Sequence, residues 1–247
     1  GGITTRQGEP RAALSLLDEG LTCARRCEDE ALLASILGAY ANAEVHLEDY
    51  AAAIAHFEEV VDIYRRANNR ASTAADLGNL GYLELLVGRP ADARAHLTDA
   101  VTVSRELNDS FNLAYGAFNL ALVEYFDGRT EEAGRLFTEA VTVAQRRGIK
   151  PVAIEGLMAL AATVHADDPV RASRLYGACE AARERSGEPV AALEASLQSA
   201  AAEHLRQTLG DEEFELRVLQ GRGLSLDDGV DLALSVPEEA DPPAAPS

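Results

Sequence analysis

Cysteine and histidine are among the residue types in this chain that could bind a metal ion or act as nucleophile and base. Cys23 and Cys27 are four residues apart, so on a helix they share one face and could supply two metal ligands. A zinc site needs about four ligands, and no histidine lies near the pair in sequence. We therefore interpret both as helix-packing thiols. His56 and His96, 40 residues apart, are likewise interpreted as packing or surface residues rather than ligands.

The sequence contains none of the common catalytic signatures. It has no GxxxxGK[ST] phosphate loop, no GxGxxG dinucleotide motif and no HExxH zinc motif. Nor does a nucleophile stand beside a base in any recognisable pattern. We expect a protein that is not an enzyme and that uses no cofactor and no metal.

The charge balance limits the partners of the chain. Acidic residues outnumber basic ones by 41 to 22, a net charge of −19 that repels phosphate backbones and anionic lipid headgroups. No stretch approaches the roughly 18 apolar residues of a membrane span, and the first residues lack the features of a signal peptide. Three cysteines provide no disulfide framework. We expect a cytoplasmic location and no direct contact with nucleic acid or membrane.

Small residues recur every 40 positions. Gly81 is 40 residues from Ala41 and from Ala121. The same register relates three further sets: the turn residues Gly8, Glu48, Gly88 and Gly128; the small residues Ala13, Ala53, Ala93 and Ala133; and the bulky residues Leu17, Phe57, Leu97 and Phe137. A fifth copy, one residue shorter, contains Ala172, Tyr176 and Cys179. Because small residues let antiparallel helices approach closely, the pattern predicts an array of helix hairpins.

Turn residues and capping residues predict where the helices lie. A helix over 9–27 is followed by helix pairs at 29–47 with 50–67, 70–87 with 90–107, 110–127 with 130–147, and 150–166 with 169–186. Pro90 and Pro169 stand near first helical positions, where a missing N–H costs nothing. In this register Gly1 falls in the middle of a first helix, with residues 2–7 as its end, so we expect a piece of a longer protein that begins partway through a repeat.

These residues resemble the tetratricopeptide repeat, which has small residues at positions 8, 20 and 27, a turn residue at 15 and a bulky apolar residue at 24. Gly81, Ala93, Ala100, Gly88 and Leu97 occupy those places. The resemblance covers residues 1–187 and implies an all-α fold, a right-handed superhelical array of about five hairpins. The 40-residue unit is longer than the usual 34. HEAT-type repeats have this period but do not require small residues at these spacings.

The resemblance implies a column of glutamate side chains on the first helices. Glu44, Glu84 and Glu124 occupy position 11, so stacking should align them. They would either pair with turn arginines such as Arg89 and Arg129, the alternative we favour, or bind a cationic ligand.

The resemblance also implies a concave groove, lined by positions 2, 5, 6, 9, 12 and 13, where a protein, a peptide or a small effector would bind. Our groove candidates are Asn42, His46, Asn79, Tyr82, Tyr115, Phe118, Asn119 and Tyr125, accompanied by Leu122 and Phe126. Amides could bond a peptide backbone while the rings bury apolar side chains, although about half of these residues could instead be core. None is Lys or Arg, so the carboxylate clamp of chaperone-binding relatives is absent.

After residue 187 the 40-residue pattern ends. Apolar spacing predicts a helix over 189–209, a short helix capped by Asp211, and a last helix over 226–235 started by Ser225. We interpret residues 188–235 as a helical cap for the array and the proline-rich 236–247 as a disordered acidic tail.

The cap region carries a second resemblance, to the closing segment of bacterial multidomain signal-transduction ATPases and LuxR-type transcriptional regulators. The residues that carry it are Arg174, Leu175, Gly177, Ala178 and Glu180, then Gly221, Leu224, Ser225, Leu226 and 228–234. In such proteins the array is a sensor or interaction arm that acts on other domains of the parent. The alternative is an autonomous scaffold that assembles other proteins.

Overall fold

The computed structural model describes residues 10–164, 166–187 and 190–235, with side chains from residue 17 onward. The predicted helix end at 2–7 and the tail at 236–247 lie outside the described residues. Within them the chain forms twelve helices and no strand. The helices are α1 (Pro10–Cys27), α2 (Glu30–His46), α3 (Tyr50–Arg66), α4 (Arg70–Leu86), α5 (Pro90–Leu107), α6 (Ser110–Phe126), α7 (Thr130–Arg147), α8 (Lys150–Val164), α9 (Pro169–Ser186), α10 (Ala192–Leu209), α11 (Asp211–Arg222) and α12 (Leu226–Leu234).

The first compact unit, which ends at Val152, is a run of helix hairpins. Helix α2 packs against α3, α4 against α5, and α6 against α7, while each hairpin also packs on the next through α3 with α4 and α5 with α6. The first helices α4 and α6 touch each other directly. The all-α helical-repeat fold class is confirmed.

Small residues at the predicted seam allow the close helix contacts. A Cβ atom added to Gly81 would lie 2.5 Å from Cγ of Leu97 on the partner helix α5, far inside normal contact. Ala41 and Ala121, which occupy the same position in the neighbouring repeats, are fully buried. The 40-residue register therefore places the same contact in each hairpin.

Several turns contain a residue in the left-handed conformation, and in some of them the next residue caps the following helix with its side chain. Gly88 and Gly128 have φ of +78° and +79°, and Glu48, at the same position one repeat earlier, has φ of +61°. The side chains of Asp49 and Asn69 then accept hydrogen bonds from backbone N–H groups three residues on, as helix caps do. Glu48 thus adopts a conformation that favours glycine.

In two hairpins a pair of charged side chains joins the start of the first helix to the end of the second helix. Glu30 at the start of α2 accepts a hydrogen bond of 3.0 Å from Arg66 at the end of α3. In the next hairpin the charges are reversed, since Arg70 begins α4 and pairs with Glu106 on α5. These side chains are more than half exposed, so each pair contributes at most about 1 kcal/mol.

The second compact unit begins at Ala153, inside α8, and is centred on α9. Helices α10, α11 and α12 all pack against α9. Two glycines make the α9–α11 contact possible: a Cβ on Gly177 would lie 2.1 Å from the carbonyl oxygen of Val218, and one on Gly221 would lie 1.9 Å from that of Arg174. The helix backbones therefore meet with no side chain between them. The boundary predicted at residue 187 stays a prediction.

Hydrogen bonds from two arginines connect the helices of this unit. Arg183 on α9 is almost fully buried and donates from Nε to Glu155 on α8 at 2.8 Å and from Nη1 to Gln198 on α10 at 2.6 Å. Arg171 donates to the last carbonyls of α12, those of Leu232 at 3.0 Å and Ala233 at 2.7 Å. A buried guanidinium is tolerated because its N–H groups find acceptors.

Candidate functional site

The predicted glutamate column lies in the interior of the first unit. Glu44, Glu84 and Glu124 stand on α2, α4 and α6, and all three are buried, Glu84 completely. A carboxylate removed from water must be paired or it destabilises the fold by several kcal/mol. The partners of these carboxylates therefore decide between internal pairing and ligand binding.

Histidine supplies the partner in the first two repeats. His56 Nδ1 lies 2.7 Å from Glu44 Oε2, and His96 Nδ1 lies 2.8 Å from Glu84 Oε2. The turn residue Arg89 adds an ion pair with Glu84 Oε1 at 3.4 Å, although that oxygen accepts no hydrogen bond. Both histidines thus belong to a polar seam between the two helices of a hairpin.

Arginine replaces histidine in the third repeat. Glu124 accepts a hydrogen bond of 3.0 Å from Arg94 on α5 and another from the turn residue Arg129. Burial alone would raise the pKa of Glu124, but these two arginines outweigh it and hold the pKa below its ordinary value. The predicted pairing with Arg89 and Arg129 is confirmed, so the column does not offer free carboxylates to a cationic ligand.

The groove candidates other than Phe118 occupy two kinds of environment. Asn42, His46 and Asn79 are exposed, while Tyr82, Tyr115, Asn119 and Tyr125 are half-buried. Asn42 donates from its amide to the carbonyl of Gly38 at 2.7 Å, and burial raises the pKa of Tyr125. Half-buried rings on fixed helices present one edge to solvent while the other is held by the core.

Phe118 does not fit the groove assignment. Only 5% of its surface is exposed, and its ring centroid lies 5.3 Å from that of Phe137 on α7. Leu122, one turn further along α6, is fully buried. These residues pack inside the α6–α7 hairpin, so Phe118 belongs to the core rather than to a binding surface.

Two residues that the sequence reasoning missed lie on the same first helices. Asp76 on α4 is partly buried, and desolvation raises the pKa of its carboxyl to about 6 even though a hydrogen bond with Asn79 works in the other direction. The residues 40 positions before and after it are Ile36 and Gly116. An acidic residue at a position that is uncharged in the neighbouring repeats could have identified Asp76 from the sequence. Phe111 is 58% exposed and stacks against Tyr115 at 4.9 Å at the start of α6.

The three cysteines lie in two different environments. The expectation that Cys23 and Cys27 pack is wrong, since both are exposed; a hydrogen bond with Cys23 raises the pKa of Cys27. Cys179 is buried as predicted, and burial raises its pKa to about 12. Among the residues that the structure describes, no three His, Cys, Asp or Glu side chains could hold a metal ion. Nor is any helix there long and apolar enough to cross a membrane.

Two family models match the first unit. The tetratricopeptide repeat model matches residues 1–66 and 32–106, and the model for anaphase-promoting complex subunit 5 matches residues 108–150. No curated protein is significantly similar to the chain. Neither model describes a signal-transduction ATPase or a LuxR-type regulator, so that resemblance stays a prediction.

Several solved structures share the fold. BtubC (BKLC) from P. vanneervenii is 17% identical with a TM-score of 0.54, over 83% of this chain and 75% of the other. A P. anserina protein described as a kinesin light chain, with nearly identical TPR-like repeats, matches in two structures. The structure of its single-substitution variant is 18% identical to this chain with a TM-score of 0.60, and the match covers 75% of this chain and 92% of the other. The second structure is 16% identical with a TM-score of 0.55, and the match covers 85% of this chain and 93% of the other. Tetratricopeptide repeats, the kind of repeat whose family model matches residues 1–66 and 32–106, are generally non-catalytic protein-interaction scaffolds.

Proposed function

We propose that the chain is an interaction arm that binds an extended peptide segment of a partner protein along the first helices α2, α4 and α6. The observation that carries the proposal is the repetition of an amide at one register position. Asn79 on α4 and Asn119 on α6 are 40 residues apart, with half-buried Tyr82 and Tyr115 on the same two helices. A repeating partner backbone suits this repeating set of hydrogen-bonding groups.

The chemistry of these residues favours a peptide with apolar side chains. Asparagine can donate to and accept from a backbone amide, whereas a tyrosine ring buries apolar surface at low entropic cost. Asn42, His46 and Tyr125 extend the surface at either end. The candidates include no Lys or Arg, and the net charge of the chain is −19, so a neutral or basic segment fits better than an acidic one.

In the finer form of the proposal, this arm belongs to a cytoplasmic bacterial regulator, a signal-transduction ATPase or a LuxR-type activator. Binding in the groove, by a peptide or by a small effector, would then shift the equilibrium of a switch elsewhere in the parent. The support is the resemblance at 174–180 and 221–234, whose Gly177 and Gly221 make the backbone contact between α9 and α11. The alternative is an autonomous scaffold. Sequencing the gene upstream of Gly1 for nucleotide-binding and DNA-binding segments separates the two.

The peptide proposal is tested by selection followed by mutation. A random peptide library displayed on phage is selected on the immobilised chain, and the consensus peptide is measured by fluorescence anisotropy. We expect Asn79→Ala and Tyr82→Ala each to weaken binding by about tenfold, the effect of losing a hydrogen bond or an interface ring.

The melting temperature separates a binding role from a packing role, so it is measured for each variant. Asp62→Ala on α3, an exposed position outside the groove, serves as the control and should bind like the native chain. If the consensus peptide binds both groove variants as tightly as the native chain, the groove is misplaced.

A further inference from the structure

A cavity of about 280 Å³ opens among α3, α4 and α5, and none of the groove candidates lines it. Its floor is the buried side chain of Leu77, and Tyr64 and Val103 add apolar surface. Arg65 on α3 and Asp99 on α5 line it with opposite charges, and both are exposed. The cavity therefore combines an apolar base with a cation and an anion.

The next repeat shows what these two charges do when they meet. Residues 40 further along the chain are Arg105 and Glu139, which are joined by two hydrogen bonds, from Nε at 2.9 Å and from Nη2 at 2.5 Å. Arg65 and Asp99 hold the same register positions. A salt bridge therefore joins α5 to α7. One repeat earlier, the equivalent position between α3 and α5 is occupied by the cavity.

The two charges at the cavity are not paired with each other. Aspartate is one carbon shorter than the glutamate at the equivalent position of the next repeat, so its carboxylate extends less far from α5. Neither Arg65 nor Asp99 has a hydrogen bond or an ion pair through its side chain in the described part of the chain. The adjacent Arg66 and the nearby Arg70 are already paired, with Glu30 and Glu106. The uncommitted charges at this cavity are thus one cation and one anion.

We propose that this cavity binds a free α-amino acid with an apolar side chain. The α-carboxylate pairs with the Arg65 guanidinium, whose fork matches two oxygens, and the α-ammonium pairs with Asp99. The apolar side chain lies over Leu77, where its burial is favourable because it is removed from water. Because the α-ammonium and the α-carboxylate occur together only in a free amino acid, a peptide end satisfies one of the two charges.

The binding test compares L-leucine with two analogues that each lack one charge. Isothermal titration of the whole chain with L-leucine, 4-methylpentanoate and 3-methylbutylamine should give measurable binding of leucine and at least tenfold weaker binding of either analogue. If 4-methylpentanoate binds as tightly as leucine, Asp99 has no part in recognition and the amino-acid assignment is overturned. If leucine, valine and methionine all fail to bind at about 10 mM, the proposal is also overturned.

The mutational test uses the repeat itself as a guide. Asp99→Glu restores the carbon that Glu139 has, so its carboxylate should reach Arg65 and close the site. We expect leucine binding to weaken by at least tenfold while the melting temperature stays the same or rises. Arg65→Gln should also abolish binding. Asp62→Glu, the same substitution on α3 outside the cavity, is the matched control and should leave binding unchanged.

The outcomes separate this inference from the groove proposal. Peptide binding along α2, α4 and α6 should be unaffected by Asp99→Glu, and leucine binding should be unaffected by Asn79→Ala. Leucine binding that survives Asp99→Glu at native strength would show that the two charges do not form the site.

Discussion

Asp76 should make the stability of the chain depend on pH in an unusual direction. Burial raises the pKa of this carboxyl from 3.8 to about 6 in the folded protein. A folded-state pKa above the unfolded one means that the charged form is disfavoured by folding. The side chain therefore imposes no penalty below pH 3.8, and its penalty develops as the pH rises from there to about 6.

The penalty can be estimated from the two pKa values. The difference between 3.8 and about 6, at roughly 1.36 kcal/mol for each pH unit, amounts to about 3 kcal/mol above pH 6. Asparagine cannot ionise and can keep a hydrogen bond with Asn79. We expect Asp76→Asn to raise the free energy of unfolding by about 1–3 kcal/mol at pH 8 and by much less at pH 4.

Urea unfolding of the native chain and of Asp76→Asn at pH 4, 5, 6, 7 and 8 measures this difference. Asp62→Asn, at an exposed position on α3, removes the same charge and corrects for the general effect of lowering the net charge. A gain in stability that is the same at pH 4 and pH 8, or that Asp62→Asn reproduces, would refute the assignment of a desolvated carboxyl with a raised pKa.

Two further predictions concern glycine. Gly177→Ala should destabilise the second unit by about 1–3 kcal/mol or more, because its new methyl group would meet the backbone at Val218; the control Gly78→Ala, with open space around it, should be neutral or stabilising in thermal unfolding. Glu48→Gly should stabilise the chain by about 0.5–1 kcal/mol because φ is +61° there, and the reciprocal Gly88→Glu should destabilise it; equal melting temperatures in both variants would contradict the strain.

The sequence predicted the helices well because their ends are chemically marked. The helix expected over 70–87 spans Arg70–Leu86, and Pro90 and Pro169 begin α5 and α9 as expected. Ser225 caps α12 by accepting from the N–H of Asp228 at 3.1 Å, which confirms the predicted start of that helix. The prediction that Asp211 caps the short helix is wrong, since Asp211 is the first residue of α11 and Gly210 stands at the cap position. Caps and turns are local, so one sequence is enough to find them.

The candidate site was less predictable because it depends on which way each side chain points. Phe118 was assigned to the groove from a 34-residue pattern, but the helices of a 40-residue unit are longer, and it faces Phe137 on α7. Asp76 could not be recognised as desolvated because its burial depends on how α4 packs against its neighbours. The Arg105–Glu139 bridge was also invisible to motif reasoning, since exposed charges of either sign are common on helices.

Because equivalent positions lie 40 residues apart, a residue that differs from its equivalents in the other repeats can be identified and its effect examined. Glu48 departs from glycine in a turn, and its φ of +61° is one that favours glycine. Asp76 departs from Ile36 and Gly116, and its desolvated charge costs stability at neutral pH. Asp99 departs from Glu139, and it lines a cavity at the register position where Arg105 and Glu139 form a salt bridge in the next repeat.

The last two departures fall in one hairpin, α4 with α5, which also carries Asn79 and Tyr82. Natural sequences tend to retain destabilising or unsatisfied groups where binding needs them. Asp76 is a desolvated carboxyl close to the exposed amide of Asn79. Asp99 and Arg65 are unpaired charges that line a cavity with the apolar side chain of Leu77. Ligand binding should therefore be sought first at the α4–α5 hairpin. On α6, Phe118 and Leu122 are committed to the core, which leaves Tyr115, Asn119 and Tyr125 for the groove.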